Sequence, residues 1–195
     1  MTKSISDLLR SATERTVPLV RGTADTALAA PTPCAEYDAR ALVAHLFDVV
    51  VNFQRLAAKE DAHFGQEPGP DRLAAEDWRE AFAAECDALV AAWAVPGADQ
   101  GSTGAMNMPA PVVGRMALGD LTVHGWDLAR ATGRPYDPDP AVVDALLGTF
   151  AELAPTARRM GVFGAEHPLP DGGADATPLD RLLALTGRDP RWTRP

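Results

Sequence analysis

The chain has 195 residues, of which 46% are hydrophobic and 23% charged, enough for one domain with a sizeable core. Its formal net charge is −9 and it has no Lys/Arg cluster, which argues against nucleic acid as a partner. No apolar run is long enough for a membrane span or a signal peptide, and two cysteines, Cys34 and Cys86, make no disulfide framework, so the expected setting is a reducing cytoplasm.

In chain order, Ser4 and Asp7 form a capping box ahead of a first helix bearing Ile5, Leu8, Leu9, Ala12, Leu19 and Val20 at helical spacing. Pro18 lacks an amide hydrogen and is expected to kink or divide that helix. "APTPCAEYD" is a loop ending at an N-cap, Asp38, and the second helix presents Leu42, Leu46, Val49, Phe53 and Leu56. A polar connector containing a solvated His63 and "GQEPGPD" leads to a third helix with Trp78, Phe82, Leu89 and Trp93 at bundle-seam spacing.

"VPGADQGSTGAMNMPAP" is composed like a flexible linker, with bordering a site mouth as its alternative role. A fourth helix runs from about Val112 to Thr132 and is closed by Gly133. After the stiff "RPYDPDP", Asp139 caps a fifth, amphipathic helix with Val142, Val143, Leu146, Leu147, Phe150 and Leu153. A spare face over 141–153 would suit a homodimer. "GVFGAEHPLPDGGADATP" is loop-like, and Thr177, Pro178 and Asp180 open a short last helix carrying Leu179, Leu182 and Leu183. No strand pattern and no internal repeat emerges. The reading is an all-α protein: a helical bundle over 1–134 and a helical extension over 135–195 packed on it as a single domain.

The stretch "GDLTVHGWDLARATG" carries the chemistry. At about 100° per residue, with Asp120 at zero, His124 falls at about 40° and Asp127 at about −20°. All three lie inside the apolar stripe of Val113, Met116, Ala117, Leu121 and Leu128. Thr122, Trp126, Ala129 and Arg130 take the opposite side, so Trp126 is either exposed or covered by the extension. A buried carboxylate is costly unless paired or bound to a metal. Asp120 and His124, one turn apart, reach one ion, and His45, at the edge of the second helix's stripe, adds a third donor and leaves an open coordination position. A hydrogen-bonded Asp120–His124 pair would satisfy both groups without metal.

Asp127 would orient a histidine or serve as an extra ligand, and His167, in "GAEHPLP", could fold back as a further one. Cys34 precedes the second helix, where it either packs or acts as a reactive thiol. No catalytic acid or base stands out beyond the ligands.

"TPCAEYDARALVAHL" together with "LTVHGWDLARATGRP" resembles a family of metal-binding proteins among the DinB-like four-helix bundles, to which the N-terminal domain of mycothiol-dependent maleylpyruvate isomerases is similar. The final "DRLLALTGRDP" resembles the C-terminal signature of the same family. The resemblance covers nearly the whole chain and implies a DinB-like four-helix bundle with a short helical C-terminal extension. It also implies an ion held by a His of the second helix and an acid-x-x-x-His pair of the fourth, which are His45, Asp120 and His124 here. Asp120 stands where the family typically has Glu, one methylene longer, so the ion is expected closer to the fourth helix. The isomerases carry a further C-terminal domain, whose place the extension takes.

The implied cofactor is a divalent ion, zinc foremost and nickel or iron as alternatives, with a low-molecular-weight thiol as cosubstrate. Coordination stabilises a thiolate, which would attack an electrophilic small molecule in a transferase or isomerase reaction. The expected partners are that substrate or thiol, with neither nucleic acid nor membrane. The same ligand types suit non-haem iron chemistry. A non-catalytic small-molecule-binding or interaction module with a structural or vestigial ion is the competing reading.

Overall fold

The computed structural model describes residues 3–62, 64, 71–105 and 107–195; His63 and the connector at 65–70 lie outside them. The described residues form α1 (Ile5–Arg21), α2 (Ala39–Ala57), α3 (Trp78–Ala94), α4 (Ala110–Thr132), α5 (Pro140–Arg159) and α6 (Pro178–Leu185). Their starts are set by local chemistry. Ser4–Asp7 and Thr177–Asp180 are reciprocal capping boxes, and Asp38 and Asp139 accept the amides of Ala41 and Ala141. Gly133 ends α4 at φ 68°, a conformation that needs glycine.

Of the two outcomes expected from its missing amide hydrogen, a kink or a division, Pro18 does not produce the division of α1. It sits in the last turn, where one backbone bond is lost and the helix still continues into buried Leu19 and Val20. The Pro18 carbonyl accepts from the Gly22 amide and from the Arg134 guanidinium.

α1 and α2 each pack against both α3 and α4, so α1 lies diagonally opposite α2. Ile5 meets Gly114 and Thr16 meets Gly125, so α1 and α4 run in the same direction. Arg21 pairs with Glu80 at the start of α3, and Tyr37, just before α2, sits by His124 near the end of α4. The bundle is therefore up–down–down–up, and it is this antiparallel pairing of α2 with α4 that turns His45 toward Asp120 and His124.

The connection before α4 is tied down rather than a free linker. It contains a two-residue antiparallel ladder, β1 (Ser102–Thr103) with β2 (Met108–Pro109), that the sequence pattern did not announce. Thr103 donates to the Leu56 carbonyl, and Lys59 donates to the carbonyls of Ala98 and Gln100.

Phe47, Phe82, Leu42, Leu46, Leu89 and Leu121 are fully buried at the centre of the bundle. α4 is buried on its second side as well: Thr122, Trp126 and Ala129, opposite the predicted stripe, are inaccessible. α5 packs on α4 and α1, and α6 packs on α5, so Leu146, Leu182 and Leu183 share the core of the bundle. Arg130 lies over the Trp126 ring at 5.6 Å and donates to the Trp192 carbonyl. Val142, Val143, Leu146, Phe150 and Ala154 bury the apolar face of α5 within the chain. Among the described residues no helix is long and apolar enough to cross a membrane.

Candidate metal centre

His45 Nε2 and His124 Nε2 lie 3.9 and 3.8 Å from the same Asp120 oxygen. The imidazole rings are 4.9 Å apart and nearly perpendicular, so their edges converge without stacking. All three donor atoms fall within 4.8 Å of one another. A tetrahedral ion with bonds of about 2.0–2.1 Å holds its donors about 3.4 Å apart, so the two Asp120–histidine spacings would contract by about half an ångström. Borderline nitrogen donors with one carboxylate are a set that zinc, nickel and iron accept.

The far side of His124 supplies a stricter test of fit. Its Nδ1 lies 2.9 Å from Oδ2 of Asp127, a carboxylate with no exposed surface. With Nδ1 as the donor in that bond, Nε2 carries its lone pair toward Asp120 and His45, the tautomer a metal-ligating histidine needs. Asp127 thus lies behind His124 and holds its ring. Arg188 Nη2 donates to the same Asp127 oxygen at 3.1 Å, while Nη1 donates to the Thr186 carbonyl. Burial disfavours the Arg188 charge, but Asp127 outweighs it, with Cys34 and Asp120 adding to the effect, and the guanidinium pKa is raised. Asp127 Oδ1 is buried and has no hydrogen-bond partner among the described residues.

Cys34, His124 and Asp127 also cluster within ligating distance of one another. There the carboxylate is already shared between a guanidinium and an imidazole, which makes it the poorer cation site. Burial pushes the Cys34 thiol pKa up, against the lowering that a place near a helix start would give.

The three donors open onto a cavity of about 490 Å³. One wall comes from the α1–α2 connection, with Cys34 and Tyr37; another comes from the C-terminal region, with Phe150, Phe163 and Arg188. Tyr37 stacks on His45 at 5.2 Å and meets His124 edge-on at 6.2 Å. Burial foremost, then Cys34, Glu36 and Asp120, raises its phenol pKa. The described residues of the 97–108 loop do not line this cavity. His167 lies in a separate pocket of about 210 Å³, with Nε2 3.4 Å from Asp189.

The structure therefore brings together His45, Asp120, His124 and Asp127 and leaves His167 outside the cavity. Tyr37, Phe150 and Arg188 are site residues that spacing did not single out. Tyr37 and Arg188 do fall inside the segments "TPCAEYDARALVAHL" and "DRLLALTGRDP", the only signal for them.

Two uncharacterized proteins of Mycobacterium tuberculosis, MT0763 of strain CDC 1551 and Rv0738 of strain H37Rv, are each 33% identical to this chain over 171 residues. The match covers 84% of this chain and 86% of each of theirs. No solved structure shows a significant match. The family described as the mycothiol maleylpyruvate isomerase N-terminal domain matches residues 9–129, a span that includes His45, Asp120, His124 and Asp127. On that match, with the helical bundle around it, the chain belongs to the mycothiol maleylpyruvate isomerase N-terminal domain family.

Proposed function

We propose that this protein is a divalent-metal-dependent enzyme that uses a low-molecular-weight thiol against an electrophilic small molecule, by S-transfer or isomerisation. The observation that carries the reading is the convergence of His45, Asp120 and His124 on one cavity wall, with His124 held from behind by buried Asp127. Zinc is the ion the donors suit first, with nickel or iron as alternatives. The name of the family points to mycothiol as the thiol.

When bound, such an ion lowers the pKa of a thiol and so supplies a thiolate at neutral pH. The chain's own residues prepare the place. His45, Asp120 and His124 approach from the protein side and leave the cavity side for exogenous groups, as catalytic sites do. Asp127 keeps the proton on Nδ1 of His124, and Arg188 balances the Asp127 charge that would otherwise be buried alone. Tyr37 lies flat on His45 and restricts its ring. The side chains of His45 and Asp120 are 29% and 32% exposed, so the wall is accessible to a ligand, which favours catalysis over a structural ion. Cys34 and Cys86 are unpaired, in keeping with a reducing cytoplasm as the working compartment.

Elemental analysis of protein purified without added metal or chelator, beside His124→Ala, tests the reading. Near-stoichiometric zinc, nickel or iron that vanishes in the variant supports it, and thiol-to-metal charge transfer in cobalt-substituted protein would identify the thiol position. A folded wild type that neither contains nor takes up metal sinks the proposal and leaves His124 and Asp127 as a buried polar pair beside part-exposed Asp120.

A further inference from the structure

We infer that the electrophile of this site has an apolar, ring-sized body with at most one negative charge, and that Phe163, backed by buried Phe150, forms its seat. The inference rests on the metal–thiol reading for the word electrophile, but the seat itself is argued from the walls.

Phe150 reaches the ligand helix at Gly119. A Cβ placed on Gly119 would meet the Phe150 ring at 2.1 Å, so the ring lies against the backbone of the residue preceding Asp120. Phe163 continues the surface, tilted against Phe150 with centroids 5.2 Å apart. Val162, 63% exposed, extends it to the rim of the same cavity. Phe150 is itself buried and backs Phe163, and it is half-buried Phe163 with exposed Val162 that offers apolar surface beside the ligands, which is what an apolar ligand gains from.

The charges point the same way. Arg188 is the one Lys or Arg among the described residues that line the cavity, and buried Asp127 already holds it. Glu36 and Asp120 are the carboxylates of the lining. Two imidazoles and one carboxylate leave a divalent ion one net positive charge, which a thiolate neutralises. A dianionic substrate would find no free second cation and would face Glu36. A neutral or singly charged molecule meets no such opposition, and a cavity of about 490 Å³ has room for it beside a thiol.

Fluorine NMR titration tests this with two probes, neutral para-fluorobenzamide and dianionic fluorosuccinate, on metal-free and zinc-treated protein. The expected result is that para-fluorobenzamide binds at least about tenfold more tightly than fluorosuccinate in both preparations, and that Phe163→Ala weakens it by about fivefold or more. Phe163 is half-buried, so this variant spares the core; Val162→Ser at the rim provides a second, milder variant with a smaller loss in the same direction. Equal or tighter binding of fluorosuccinate, no binding of the aromatic probe, or indifference to both substitutions overturns the inference. Failure of zinc uptake with Phe163-dependent aromatic binding intact would sink the metal reading alone. Zinc uptake with no aromatic preference would sink the seat alone.

Discussion

Asp127 and His124 lie three residues apart on α4 with Oδ2 and Nδ1 at 2.9 Å, and the carboxylate is wholly enclosed. The pair sets which imidazole nitrogen faces His45 and Asp120. Asp127→Asn retains an acceptor for Nδ1 but removes the charge, leaving the Arg188 guanidinium without its counterion. Zinc affinity is expected to fall by about 10–100-fold, read by competition with a chromophoric chelator. The uncompensated guanidinium should also lower stability, by up to about 3–5 kcal/mol if the buried pair behaves as others do. Unchanged zinc affinity would show that Asp127 serves packing alone.

His167 provides the complementary control. It sits by Asp189 in a pocket apart from the three donors. Its replacement by alanine is expected to leave metal content and affinity unchanged, while His45→Ala abolishes stoichiometric binding. Loss of metal in the His167 variant would mean that the C-terminal loop closes over the site in solution.

How much of this was legible in the sequence depended on the range of each interaction. The capping boxes, the Gly133 stop and the Asp120–His124 spacing are local, and each follows from a few adjacent residues. Arg188 meets Asp127 across 61 residues, and no periodicity encodes that contact. For Trp126 the sequence left two outcomes open, exposure or cover by the extension, and the structure shows it buried. A helix covered on two sides gives one clear stripe to a periodicity analysis and places its second buried face with the solvent side. Pro18 shows the limit of a local rule: the missing hydrogen bond does not divide α1, because the helix goes on to bury Leu19 and Val20.

Asp139 joins the two ends of the fold, accepting from Lys3 and Ser11 of the α1 region while capping α5. The Lys3 bond foremost, then the Ala141 amide and Ser11, hold its pKa down at about 2, against 3.8 for an ordinary aspartate. The folded pKa is the lower one, so its contribution is fully present above 3.8 and is lost as pH falls toward about 2. Asp139→Asn should therefore reduce stability at neutral pH and flatten the acid limb of the unfolding curve. Asparagine keeps the cap, since its Oδ1 still accepts the Ala141 amide, so the loss reads the contacts with Lys3 and Ser11. Parallel acid limbs in wild type and variant would contradict the assignment.

Gly119 is where the Phe150 ring of α5 meets the backbone of α4, and its lack of a side chain is the condition for Phe150 to lie there. Gly119→Ala places a methyl 2.1 Å from Phe150 Cζ and 2.7 Å from Cε2, so the ring must move. Helix propensity favours alanine by about 1 kcal/mol, but overpacking a filled site costs about 1–3 kcal/mol, and the clash should win. A lower melting temperature is expected, with part of the loss recovered in Gly119→Ala/Phe150→Leu, whose smaller side chain makes room. A more stable single variant would show that Phe150 swings away freely.

The extension over 135–195 is expected to be part of the folding unit. Without it the core would lose Leu146, Leu182 and Leu183, and Arg130 would lose the Trp192 carbonyl. Arg188 would go as well, leaving Asp127 buried against a single imidazole. A chain ending at Arg134 should therefore bind a hydrophobic dye, lose near-ultraviolet circular dichroism and keep much of its helicity, the signature of a bundle without fixed packing. Its zinc affinity should drop in step, because the backing of His124 is disrupted. If the shortened chain instead unfolds cooperatively at the temperature of the full protein and binds zinc equally well, the first four helices are a self-sufficient domain. In that case the α5–α6 region contributes only the far wall of the cavity.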